Sequence, residues 1–205
     1  AAFGQGSLLV TPLQMALVAA AVLLLAVEGL AAARCQGVEE VRARGRAVGA
    51  GLLLLFYPSF PLAHLVLLAG QGGFAAAWWA LFVVWAADTL AFFVGRWRGG
   101  RRLAPTLSPG KTLAGAAAGL AAAAGVGAAY GARALGLPLW TGAAWGALAG
   151  AAAQAGDLFE SLLKRAAGVK DAGRLIPGHG GVLDRFDSLA LALPVAYYLF
   201  LTWRP

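Results

Sequence analysis

Residues 74–95 read FAAAWWALFVVWAADTLAFFVG, an unbroken apolar run in which Asp88 is the one charged side chain. The run is continuous and does not alternate, and about 20 such residues in a helix cross the roughly 30 Å hydrocarbon core of a bilayer. Lipid admits only helices and closed barrels, and a barrel strand would alternate. Comparable runs at about 8–33, 47–69, 113–133, 140–163 and 188–203 predict an all-α fold, a polytopic transmembrane helical bundle of about six spans. Composition agrees: of 205 residues 60% are apolar and 12% charged, and the mean hydropathy is +0.75, far from the usual soluble domain. One membrane domain is expected, with residues 1–75 as N-terminal scaffold helices and 76–205 carrying the polar motifs.

The formal charge of +7 reports membrane topology and not a nucleic-acid partner, because the basic residues are confined to loops. Of the 16 Lys and Arg, only Arg133 and Arg204 fall outside the loops 34–46, 96–111 and 164–187. With six spans these three loops share one face. Positive charge gathers on the cytoplasmic side, so both termini are predicted outside and the protein multi-pass in the cytoplasmic (inner) membrane. Cys35 is the only cysteine, which excludes an internal disulfide and fits a reduced thiol. The first apolar run is too long, and lacks the basic lead-in, for a cleaved signal peptide.

The first two spans hold little polar content beyond Glu28, His64, Pro58 and Pro61. Scaffold is the expected role, with His64 packed or bonded inside the bundle, Glu28 near a membrane face, and the prolines prone to kink the helix. Gly115 and Gly119, Gly127 and Gly131, then Gly142, Gly146 and Gly150 recur at four-residue spacing. Such stripes let helices approach closely, so they predict packing seams.

Two polar constellations stand out. In the fifth span Asp157, Glu160, Ser161 and Lys164 fall at i, i+3, i+4 and i+7, one stripe of a helix. Acids there need a compensating cation, and Lys164 is one source. The loop that follows contains Lys170, Asp171, Gly178, His179, Gly180, Gly181, Asp184, Arg185 and Asp187. Glycines bring backbone N–H groups close to an anion, Lys and Arg suit phosphate, and carboxylates suit Mg²⁺. Metal-binding acids beside phosphate-binding cations suggest phosphoryl or nucleotidyl transfer. The second patch runs from Asp88-Thr89 through Gly95-Arg96 to Ser108-Pro109-Gly110-Lys111-Thr112. Its Gly-Lys-Thr end is no P-loop, since Pro105 stands where that motif needs glycine and no strand is expected before it.

The run Ser161-Leu162-Leu163-Lys164-Arg165, then Lys170-Asp171, then Pro177-Gly178-His179-Gly180-Gly181-Val182-Leu183-Asp184-Arg185-Phe186-Asp187 resembles the hallmark pattern of phosphatidate cytidylyltransferases (CDP-diacylglycerol synthases). The Asp88 to Gly115 patch is similar to a second stretch of that family, so the likeness covers about 88–189, and residues 1–87 carry none of it. The chain departs from the pattern at Ala114, where the family generally has Glu. Many members are also longer, with additional N-terminal spans.

The resemblance implies transfer of CMP from CTP to phosphatidate, giving CDP-diacylglycerol and pyrophosphate in phospholipid biosynthesis. It also implies Mg²⁺, with a second cation allowed, a homodimer, and a catalytic region at 76–205. Asp157 and Asp184 are the expected metal ligands and, with Lys164 and Asp187, the catalytic set. Lys164, Arg165, Lys170, Arg185 and the Gly178, Gly180 and Gly181 backbone would hold phosphates, with Ser161 and His179 as donors, Glu160 among the substrate-binding residues, and Asp187 and Asp171 as second-choice metal ligands or orienting groups. Ser108, Lys111 and Asp88 would serve the lipid phosphate or the nucleotide from the second patch. The rival readings are a cation-coupled transporter, since acids in spans often mark ion paths, a non-catalytic scaffold, and another CTP-dependent lipid-phosphate enzyme. A CDP-alcohol phosphotransferase is disfavoured because its widely spaced Asp motif is missing.

Overall fold

A computed structural model describes residues 6–169, 184 and 186–202, with side chains from Met15 onward. Five helices occur among the described residues: α1 (Gly6–Ala32), α2 (Val38–Arg98), α3 (Leu113–Leu135), α4 (Leu139–Ala166) and α5 (Leu189–Thr202). The all-α membrane fold expected from the sequence is the one observed. A straight helix of 61 residues would measure about 90 Å, three bilayer cores. Non-helical backbone at Gly73 (φ 68°, ψ −177°) divides α2 instead, and the left-handed φ is one that glycine adopts without penalty. The chain folds back there: Tyr57 on the first arm stacks on Phe159 of α4, while Ser188, at the same end of the bundle, bonds Asp88 of the second arm. Helix runs on through Pro58 and Pro61, and the non-helical backbone stands at Gly73.

Among the described residues the expected count of six spans is not confirmed, with the two arms of α2 counted as one helix. Three helices, α1, α2 and α3, are long and apolar enough to cross a membrane. The 28-residue α4 has its hydropathy diluted by Gln154 and the charged end of the helix, and α5 spans only 14 residues, about 21 Å.

Helices in lipid gain little from burying apolar surface against each other, so backbone proximity must hold them. The glycine stripes supply it. A Cβ on Gly127 would strike the Gly142 carbonyl, and one on Gly146 would strike the Ala123 carbonyl. The α3–α4 seam therefore forms where the spacing predicts it. Trp79 fills the space beside this seam and donates its indole N–H to the Gly127 carbonyl at 3.1 Å. Leu68, Val83, Leu193 and Ala196 complete the core around it. His64 is buried, with Nδ1 2.8 Å from the Phe60 carbonyl and its ring against Tyr197 and Tyr198, the packed scaffold role expected. Glu28 accepts from Arg44 at 3.0 Å, tying α1 to the start of α2.

Between α2 and α3 the chain forms a small antiparallel ribbon, β1 (Arg102–Ala104) with β2 (Ser108–Thr112), pairing Arg102 with Thr112 and Ala104 with Ser108. No strand was expected in this loop. A three-residue strand lies below the length at which sequence alternation can be read.

Candidate active site

Gly156 brings α4 and the start of α5 into backbone contact, since a Cβ there would lie 2.6 Å from the Asp187 carbonyl. That contact sets Asp157 beside Asp187 and Ser188. On the other side, a Cβ on Gly115 would lie 2.5 Å from the Ala91 carbonyl, so the second arm of α2 lies directly on the first turn of α3. Thr112 caps α3 by accepting the Gly115 N–H at 3.0 Å, which fixes the end of β2 and Lys111 with it.

These elements enclose one cavity of about 890 Å³. Asp88, Ser108, Lys111, Asp157, Asp184 and Asp187, expected as site residues from two separate patches, all line it. Arg96, Arg102, Gln154 and Ser188 line it as well. Its wall includes Trp85 and Phe92, which are 49% and 61% exposed and in a membrane would meet lipid. A polar chamber thus borders an apolar face, and the positive N-terminus of α3 adds an attraction for anions.

The acids are compensated in a way that the helix stripe alone does not give. Asp157 pairs with Lys111 across the chamber at 2.5 Å. Lys164 turns instead to Asp184 at 2.7 Å and to Glu160 at 3.4 Å. Burial pushes the Asp187 carboxyl above its ordinary range, the negative charge of Asp157 adds to this, and the Ser188 N–H opposes it, donating to Oδ1 at 2.7 Å.

The sign of that shift gives a prediction. A carboxyl that is harder to ionise when folded costs stability once ionised, so stability should rise as pH falls from neutral toward the ordinary carboxylate range. Asp187→Asn has no proton to gain. It is expected to raise the melting temperature of substrate-free protein at neutral pH, to flatten the pH dependence, and to reduce activity; unchanged melting at neutral pH would contradict it.

Other expected residues lie elsewhere. Glu160 does not line the chamber; its side chain is 0% exposed. Ser161 does not line it either, and Arg165 reaches back to the ribbon, donating from Nε to the Leu107 carbonyl at 3.4 Å. Lys164 stands behind Asp184. Lys170, Asp171, Gly178, His179, Gly180, Gly181 and Arg185 lie outside the described residues.

Among the described residues no three His, Cys, Asp or Glu form a ready-made metal cluster. The donors nonetheless fit Mg²⁺. That ion binds through one or two carboxylates and completes its octahedron with water and substrate phosphate, and Asp157 and Asp184 face one chamber from opposite elements.

Among the side chains that line the chamber, sequence reading gave no site role to Arg96, Arg102, Gln154 or Ser188, nor to Trp85 and Phe92. Arg102 was counted as a topology charge alone, whereas Arg96 also fell in the second polar patch. Gln154 sits three residues before Asp157, on the same helical face, a legible signal, and also donates to the Ala116 carbonyl at 3.0 Å. Ser188 carried no signal beyond its place next to Asp187.

Comparison with known proteins bears on this chamber. Over 145 residues the chain is 42% identical to a phosphatidate cytidylyltransferase of Brucella abortus biovar 1, covering 70% of this chain and 54% of that protein. It is 46% identical over 128 residues to one of Synechocystis sp., covering 62% and 43%, and 40% identical over 130 residues to one of Bacillus subtilis, covering 63% and 48%. The chain spans about half the length of the relatives it matches. The model of the Cytidylyltransferase family matches residues 2–203, nearly end to end, and the chain belongs to that family.

Proposed function

We propose that the chain transfers CMP from CTP to phosphatidate, releasing pyrophosphate and leaving CDP-diacylglycerol in the membrane. The observation that carries this reading is the single chamber that gathers acids, cations and an apolar wall from α2, β2, α4 and the start of α5. A triphosphate needs the cations, a divalent ion needs the acids, and a diacyl lipid needs a wall it can meet without leaving the bilayer. All three requirements coincide at one end of the bundle. A cation path would instead need polar groups along the whole span, so the transporter reading is not favoured.

The chemistry asks little of the protein beyond position and charge. A phosphatidate oxygen is already anionic at neutral pH; it forms a bond to the α-phosphorus, while the bond from that phosphorus to the bridging oxygen breaks and its electron pair leaves with pyrophosphate. Alignment and charge neutralisation lower such a barrier. Mg²⁺ held by Asp157 and Asp184 would supply neutralisation along the triphosphate. Lys111, Arg96 and Arg102 would hold phosphate oxygens, Gln154 and Ser188 would orient donors toward them, and Trp85 and Phe92 would border the acyl chains. The basic loops favour a chamber open to the cytoplasm in the inner membrane, where CTP is available. Further phosphate contacts from Lys170, Arg185 and the Gly178–Gly181 backbone belong to this proposal, as do a second cation and a homodimer.

Arg96 and Arg102 are proposed to meet the nucleotide and not the lipid. Arg96→Ala and Arg102→Ala should each raise KM for CTP by about tenfold, in keeping with 1.4 kcal/mol per decade, with little change in KM for phosphatidate. Steady-state assays varying each substrate separate the two, and an effect confined to phosphatidate would reverse the assignment. The reading as a whole is tested by giving purified protein CTP, UTP or ATP with phosphatidate or diacylglycerol. Only CTP with phosphatidate should yield a nucleotidyl lipid; transport of a cation without nucleotide turnover would overturn it.

A further inference from the structure

Glu160 is the buried ionisable group that the mechanism above leaves without a task. Its side chain is fully buried, and neither carboxylate oxygen has a hydrogen-bond partner among the described residues. A carboxylate so placed is costly unless something else depends on it. One cation is near: Lys164 Nζ, one turn on, at 3.4 Å. That same ammonium donates to Asp184 at 2.7 Å, and Asp184 lines the chamber.

The first arm of α2 packs on α4 beside Glu160. Tyr57, on the first arm of α2, is buried with its hydroxyl unpaired and lies within the electrostatic reach of Glu160. Its ring stacks on Phe159 at 6.2 Å. The Glu160 side chain itself is 0% exposed, and a low dielectric strengthens the hold of a buried carboxylate on a nearby ammonium. Lys164 is 17% exposed, Asp184 11%, so the cation lies between a dry anion behind and a chamber acid in front.

We infer that Glu160 is a positioning residue: fully buried, it anchors the Lys164 ammonium from behind so that Lys164 presents Asp184 to the chamber. Glu160 touches neither substrate nor metal ion in this account and acts only through Lys164. The inference deepens the proposed function and rests on it for its activity readout.

The test is a double-mutant cycle with a second readout that needs no substrate. Glu160→Gln in full-length protein is expected to lower kcat/KM for CTP about ten- to a hundredfold, the range typical of residues that orient a functional group, but less than twofold in a Lys164→Met background. Glu160→Asp, which keeps the charge one methylene further back, should recover part of the loss. Acetic anhydride labelling of Lys164, followed by peptide mass spectrometry, should be several-fold faster in Glu160→Gln than in wild type. Equal losses in both backgrounds together with unchanged labelling would overturn the inference. Wild-type protein unable to make a CDP-lipid would sink the functional reading instead, and labelling would still decide whether Glu160 anchors Lys164.

Discussion

Asp157→Ala should lower CTP-dependent formation of CDP-diacylglycerol by about 10³-fold or more, the scale of losing a preorganised electrostatic group in a water-poor site. Two effects combine at this residue. Asp157 is one of two proposed ligands for the divalent ion, and it is also the partner of Lys111 across the chamber at 2.5 Å. Its removal takes away an oxygen donor and frees the lysine from the position that aligns it. The fold should survive, because Asp187 loses a repelling neighbour. The expected signature is an undiminished melting temperature with activity near background and no rescue by raised Mg²⁺. Full Mg²⁺-dependent activity in the purified variant would remove Asp157 from the site.

Lys111→Ala should be nearly as damaging, with a loss of about 10²–10³ in kcat/KM for a different reason. The ribbon exists to place this side chain: β2 ends at the Thr112 cap of α3, and the Leu113 N–H bonds the Arg101 carbonyl at 3.0 Å. Without the ammonium the chamber keeps Asp88, Asp157, Asp184 and Asp187 with less compensation. Stability should therefore fall as well, by an amount between the roughly 1 kcal/mol of an exposed pair and the roughly 3–5 kcal/mol of a buried one. Lys111→Ala combined with Asp157→Ala should regain most of that stability and none of the activity. A stable, active single variant would show that the pair is incidental.

How much of this could be read from the residues differs by kind of feature. The bundle was legible because lipid leaves few alternatives to a helix and the apolar runs are long. The α3–α4 seam was legible because glycine at four-residue spacing has a steric meaning that Gly127 and Gly146 bear out against facing carbonyls. The turn at Gly73 was not, since Pro58 and Pro61 carry the stronger helix-breaking signal and tertiary packing overrode it. Of the side chains that line the chamber, residue types and spacing had singled out Asp157, Asp184 and Asp187, and the second patch Asp88, Ser108 and Lys111. Partner choice was legible only in part. Helical periodicity offers Lys164 to Glu160 at i+4, which it meets, and to Asp157 at i+7, whereas tertiary contact gives Asp157 to Lys111 and adds Asp184 to Lys164. The same limit misplaced Glu160, for a stripe shows which residues share a face and not whether that face opens to a cavity or to a dry pocket.

The central claim is nucleotidyl transfer to a lipid phosphate, and following the phosphorus tests it most directly. Purified protein in phosphatidate micelles, given CTP labelled at the α- or the γ-phosphorus with and without Mg²⁺, should place α-label in the chloroform-soluble lipid and γ-label in pyrophosphate, and only with the metal present. Label from the γ-position in the lipid, or no labelled lipid from either, would contradict the account.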